Sequence, residues 1–376
     1  MRALFLIAAL LLTTEARADA LLPGLIRAPL PVPVTMPSGD KLSLEGLVVR
    51  PDRPGRFPLV ILVNGTPAGG GAEFAQALSR ASPVDFTKPA IAFAQRGYAA
   101  VAIMRRGFGR SGGAFSESLP RDCDDQDYLP LARISAEDVT ASVSTLRTEP
   151  WADADRVVLL GLSTGGFAVT AAAASNPPGV VGVLNFDGGH RGGTSPDKVC
   201  NPDNLVATMT TLGRTARIPS LWIYAENDHS FGPDLARRMF DAYTTSGAPA
   251  QLRMLPPFGS DGHNLVVDAP AESWLPAVAP FLSALDLPTT PILALPPLPE
   301  LPPPPDALPV CRRVFANFLT FPIDAKAFAV TPAGGCGFAT ARTVDEARED
   351  AIADCQKHSH GATCKLYAVG QHLAEN

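Results

Sequence analysis

Gly161-Leu162-Ser163-Thr164-Gly165-Gly166 stands between a strand-like run, Arg156-Val157-Val158-Leu159-Leu160, and a helix-like run, Phe167 to Ala174. A chain that passes from strand to helix in so few residues must turn sharply. The serine at the apex is then held in a strained backbone conformation with its hydroxyl presented outward. The flanking glycines suit that turn, because a Cβ at either place would collide with the adjoining strand or helix. The helix that follows aims its free N-terminal amides at any negative charge that develops beside the serine. The segment therefore reads as a nucleophile elbow.

A second Gly-x-Ser-x-Gly, Gly109-Arg110-Ser111-Gly112-Gly113, also follows an apolar run, Ala99 to Met104. What comes next separates the two. After Gly113 the chain runs through Ser116, Ser118, Pro120 and an acidic cluster, whereas after Gly166 it enters alanines, the best helix formers. Ser111 is read as a loop residue.

A nucleophilic serine needs a base, and the base needs an orienting acid. Downstream, Ile218 to Ala225 reads as a buried strand that ends in Glu226-Asn227-Asp228-His229. A helix-like segment follows from Pro233 to Tyr243, with Leu235, Met239 and Phe240 on one face. Then come a strand candidate, Ala250 to Leu255, and the loop Phe258-Gly259-Ser260-Asp261-Gly262-His263. His263 is the expected base: His190 precedes the acid, His229 adjoins it, and His358, His360 and His372 lie in a separate C-terminal segment. Asp228 is the expected acid, with Asp187, at the end of the run Val180–Phe186, and Glu226 as rivals. The amide of Thr164 and an amide of the loop Asn64-Gly65-Thr66-Pro67 are the expected oxyanion donors; Thr66 is preferred because Pro67 has no N–H.

From about Leu44 to Leu285 the chain resembles the α/β-hydrolase superfamily, and within it the esterases similar to dienelactone hydrolase. The resemblance is carried by Asn64-Gly65-Thr66, by Arg106-Gly107-Phe108-Gly109-Arg110-Ser111-Gly112-Gly113, by Gly161 to Gly166, and by Asp228 and His263. It implies a doubly wound, mostly parallel sheet, and it makes the Arg-Gly-x-Gly-x-Ser segment a structural loop. The family often has His where Asn64 stands, and dienelactone hydrolase itself uses a cysteine where this chain has Ser163.

The first 20 residues read as a cleaved secretory signal: Met1-Arg2, an apolar run from Ala3 to Leu12, and a small-x-small site at Ala18 and Ala20. No later stretch approaches the roughly 20 unbroken apolar residues of a membrane span, so the expectation is a secreted or periplasmic protein without stable membrane insertion. Six cysteines in an exported chain argue for disulfides. Cys123–Cys200 is the expected bridge of the first part, stiffening the wall of the active-site mouth. Among Cys311, Cys336, Cys355 and Cys364 the pairing is open, Cys355–Cys364 being the most local. A net charge of −6 without a basic stripe gives no support for nucleic-acid binding. Asp122, Asp124, Asp125 and Asp127 lack the spacing of a calcium loop, and no Cys/His spacing suggests zinc.

The expected layout is a signal at 1–20, an α/β-hydrolase domain at 21–286, a proline-rich linker at 287–309 and a small module at 310–376. The linker, with Pro302 to Pro305 at its heart, favours an extended, semi-rigid spacer. The module is read as α+β and disulfide-stapled: strands over 325–330 and 364–369, and a helix from Val344 capped by Thr343, with Glu346 at the capping-box position. It resembles small cysteine-stapled modules of exported bacterial proteins. The functional expectation is a serine hydrolase that cleaves a small-molecule or polymer-end ester and needs no organic cofactor or metal. The alternatives are a peptidase of the prolyl-oligopeptidase type, against which stands the lack of a large gating N-terminal region, and a non-catalytic envelope adaptor on a hydrolase scaffold. The module's own target is left open between an envelope component, a partner and the catalytic mouth.

Overall fold

The structure, a computed structural model, describes residues 21–117, 122–193, 198–359 and 361–374. The expected signal at 1–20 lies outside the described residues.

The strands are β1 (Leu25–Pro29), β2 (Val32–Thr35), β3 (Lys41–Leu44), β4 (Gly46–Pro51), β5 (Phe57–Val63), β6 (Ala99–Ile103), β7 (Ala152–Leu162), β8 (Val180–Phe186), β9 (Ser220–Ala225), β10 (Ala250–Leu255), β11 (Lys326–Val330), β12 (Cys336–Thr340), β13 (Lys365–Val369) and β14 (His372–Leu373). The helices are α1 (Gly71–Arg80), α2 (Thr87–Ala94), α3 (Tyr128–Leu146), α4 (Thr164–Ala173), α5 (Pro202–Gly213), α6 (Pro233–Thr245), α7 (Leu265–Asp268), α8 (Leu275–Ser283), α9 (Pro309–Leu319) and α10 (Val344–Lys357).

Eight strands form one sheet in the order β1-β4-β6-β5-β7-β8-β9-β10. The pairs β1–β4 and β4–β6 are antiparallel and the other five are parallel. The central strands β5, β6 and β9 are buried along their whole length, as near-continuous apolar runs covered by helices on both faces must be. One core cluster packs α2 and α8 on one face, and two others pack α3, α4, α5 and α6 on the opposite face. The reversal of strand order at β6-β5-β7 opens a crevice at the carboxyl ends of β5 and β7, where such sheets take ligands. Among the described residues, no helix is long and apolar enough to cross a membrane.

The small module is a second sheet, β12-β11-β13-β14, with α9 and α10 packed against it. Thr343 caps α10, its side chain accepting from the Glu346 amide at 3.2 Å. The stretch between the two units does not stand free. Tyr98 Oη donates to Pro288 O at 2.8 Å and the Ile292 amide to Gln95 O at 2.7 Å, while Leu293 and Leu295 pack on the larger core. Aliphatic residues between the prolines give this segment an apolar side: residues 288–295 lie along the larger unit, while Leu301 and Ala307 pack in the small module's core and Pro302 O accepts from Tyr367 Oη at 3.0 Å.

Candidate active site

Ser163 ends the β7–α4 turn with φ 58° and ψ −123°, the strained apex expected of an elbow. The turn is tight enough to exclude side chains: a Cβ on Gly161 would lie 2.1 Å from Gly165 O, and one on Gly165 would lie 2.2 Å from Val63 O. The register Val63↔Gly161 brings the loop after β5 alongside, and a Cβ on Gly65 would sit 3.1 Å from that of Ser163.

Asp228 follows β9 and is buried. Its Oδ1 accepts from the amides of Ser230 (2.7 Å) and Phe231 (3.1 Å) and lies 3.0 Å from His263 Nδ1. The His263 ring packs near Phe231, centroids 5.7 Å apart, and its amide donates to Asp261 Oδ1 at 3.0 Å. That leaves Nε2 as the imidazole's working nitrogen. Ser163 and His263 line one cavity. Among the described residues, Ser163 Oγ makes no hydrogen bond.

The two threonines meet. Thr66 Oγ1 and Thr164 Oγ1 are 2.6 Å apart, which pins the β5 loop to the start of α4. Thr164 is the first residue of α4, so the helix leaves its amide without an internal partner. Beneath them lies a group the sequence reading missed. Arg105 is fully buried after β6; its Nη2 donates to Thr66 Oγ1 (3.2 Å) and Thr164 Oγ1 (3.1 Å), and its Nη1 to Asn64 O. Glu117 neutralises it from Nε and Nη2. An arginine directly after a wholly apolar strand was the available signal, since burying it obliges the fold to supply a counter-charge.

The other candidates fall elsewhere. Ser111 Oγ donates to Met104 O at 2.7 Å and accepts from the Glu45 amide at 2.9 Å, which makes it a loop brace. His190 packs between Tyr128 and Phe167, and burial pushes its imidazole down to about 4. His229 lines the cavity but is largely exposed, and Glu226 is exposed outside it. Asp187 is buried with φ 48°, and its Oδ1 accepts from the Ala225 amide at 3.0 Å. Burial holds its carboxyl well above the usual carboxylate range, and the Asp228 charge pushes the same way. All six cysteines pair, as Cys123–Cys200, Cys311–Cys336 and Cys355–Cys364. The first bridge was expected at the mouth, yet neither of its cysteines lines the cavity. It braces a neighbouring stretch, where the single Tyr128 hydroxyl proton is shared between Cys200 O and Arg191 O.

A family model described as X-Pro dipeptidyl-peptidase (S15 family) matches residues 38–189, from the β2–β3 turn past the elbow. The larger unit has the α/β-hydrolase fold. No curated protein matches the chain in sequence. Among solved structures, the chain is similar to a Klebsiella pneumoniae protein assigned as a dienelactone hydrolase, at 18% identity over 70% of this chain and 98% of that one (TM-score 0.47). It is similar to an acetyl xylan esterase from Paenibacillus sp. R4, at 16% identity over 71% and 86% (TM-score 0.47). It also aligns with the acylaminoacyl peptidase of Pyrococcus horikoshii, at 15% identity over 69% of this chain (TM-score 0.47), where it spans only 41% of the relative's length.

Proposed function

We propose that this chain is an exported serine hydrolase that cleaves a carboxylic ester through an acyl-enzyme. Ser163 Oγ attacks the carbonyl carbon while His263 Nε2 takes its proton. The oxyanion is held by the amides of Thr164 and Thr66, and the imidazolium by Asp228 through Nδ1. His263 returns the proton to the departing alcohol oxygen as the C–O bond breaks. It then deprotonates the water that attacks the acyl carbon, and Ser163 leaves with that proton. The observation that carries the reading is the 3.0 Å contact between Asp228 and His263, opening onto the cavity that holds the strained Ser163. Three disulfides support an oxidising compartment, hence export.

Peptide-bond cleavage is the second reading, favoured by the peptidase family model. The same residues serve both, and an activated ester is the easier substrate because its alcohol departs without a strong acid. Ser163→Ala is expected to abolish turnover of p-nitrophenyl butyrate and labelling by a fluorophosphonate, with circular dichroism unchanged. Full turnover in that variant refutes the nucleophile. Comparing aminoacyl p-nitroanilides with the ester ranks the two readings.

A further inference from the structure

The cavity that holds Ser163 and His263, about 1160 Å³, is closed on its far side by the small module through Phe321, Phe338, Ala339, Thr340 and Lys357. The module is fixed there. Arg342 grips the Glu45 carboxylate and Ala81 O, Lys88 Nζ donates to Asn317 Oδ1 and to Asp268 O (both 2.8 Å), and Phe321 and Ile323 pack on Val84.

Three successive residues of β12 reach the cavity, although a strand turns alternate side chains to opposite faces. The Phe338 side chain packs on Phe318 of α9 and that of Ala339 on the face covered by α10. With helices on both faces, β12 meets the cavity by its open edge, for it is the outermost strand of its sheet. The register identifies the main-chain groups on that edge. The Thr331 amide donates to Gly335 O at 2.8 Å and the Ala341 amide to Ala325 O at 2.9 Å, and Ala339 stands opposite Ala327. Odd-numbered residues of β12 therefore bond to β11, and even-numbered ones turn N–H and C=O outward. Asp354 Oδ2 already occupies the Phe338 amide at 3.3 Å. Among the described residues, Phe338 O and the Thr340 N–H are left as an acceptor and a donor flanking Ala339.

We infer that this edge is a substrate subsite that binds a peptide-like segment of the acyl chain as an added strand. One residue of that segment, running parallel to β12, donates its N–H to Phe338 O and accepts from the Thr340 N–H. The inference rests on the hydrolase reading and narrows its substrates to acyl groups that carry a secondary amide.

The test uses the full chain and two p-nitrophenyl esters, of butyric acid and of N-acetyl-dialanine. The wild type is expected to favour the peptidyl ester at least tenfold in kcat/KM. Thr340→Pro removes the donor without touching the β11 ladder, at an edge position where proline is tolerated. It is expected to lower that preference about tenfold, mainly through KM. A depsipeptide ester, with oxygen in place of the N–H that meets Phe338 O, is expected to lose a similar factor on the wild type and needs no variant to fold. No wild-type preference, or equal turnover of depsipeptide and peptide, overturns the subsite. Loss of all ester turnover together with fluorophosphonate labelling in the wild type instead overturns the hydrolase reading itself.

Discussion

The acid is where residue-level reasoning is most exposed, since Asp187 and Asp228 both end strands of the right sheet. Their surroundings divide the roles. Asp228 faces His263 Nδ1 and accepts from two amides. Asp187 is enclosed beside it with Oδ2 unpartnered among the described residues, and burial holds its carboxyl well above the usual carboxylate range. Asparagine has nearly the shape of aspartate, carries no charge to bury and tolerates the left-handed backbone found at Asp187. Asp187→Asn is accordingly expected to retain kcat within about tenfold, whereas Asp228→Asn should lower it by about 10⁴ by favouring the wrong imidazole tautomer. Stopped-flow or steady-state assay on one short ester checks both, and the reverse ranking would transfer the role. The strained turn at Ser163 and the loop positions of Asp228 and His263 were legible because strand, turn and loop leave local patterns. Arg105 was not, because its partners Asn64, Glu117 and Thr164 are distant in sequence and only the folded crevice brings them together.

At the level of elements, apolar runs and caps located the parallel strands and α10, and they failed at α9. Pro309 looked like the end of the linker but is the first residue of that helix, the one helical position where proline loses nothing. α9 matters because it covers Lys326. This β11 side chain is buried, donates from Nζ to Phe318 O at 3.0 Å and lies 4.5 Å from the Phe318 ring centroid. Burial draws its pKa down to about 7 from 10.5. The folded chain thus gives up, near neutrality, a proton that the unfolded chain keeps until about pH 10. Stability must rise with pH across that window, by roughly 2 kcal/mol between pH 7 and 9 if the full shift is expressed. Lys88, lowered to about 8 mainly by burial, adds to the upper part, while Asp85, pushed up to about 7 by burial, opposes the rise below the window and slightly at its lower end. Urea unfolding at pH 7, 8 and 9 is expected to show this rise, and Lys326→Met should remove most of it; an undiminished rise in the variant would place its origin elsewhere.

For the molecule as a whole, the sequence disclosed two units and the proline stretch between them, but not that the second closes the cavity of the first. The reason is sequence distance: Glu45 and Arg342 are 297 positions apart, and neither stands in a pattern that announces a partner. That pair is mostly buried, and Arg342 holds both Glu45 oxygens as well as Ala81 O. Truncating it leaves Glu45 with the Arg110 amide (2.7 Å) as a remaining donor and strips Ala81 O of this partner. The cost is about 1–3 kcal/mol, short of a fully orphaned buried charge because Glu45 keeps that one donor. The loss falls on the interface and not on either core. Arg110–Glu346, exposed on the arginine side, is too weak to compensate. Calorimetry of the wild type is therefore expected to give one cooperative transition and Arg342→Ala two, with the module melting first and the larger unit near its original temperature. Arg342→Lys, which keeps the charge without the fork, should fall between them. A single unshifted transition in Arg342→Ala would mean that Lys88 and the Val84–Phe321–Ile323 contact alone hold the wall in place.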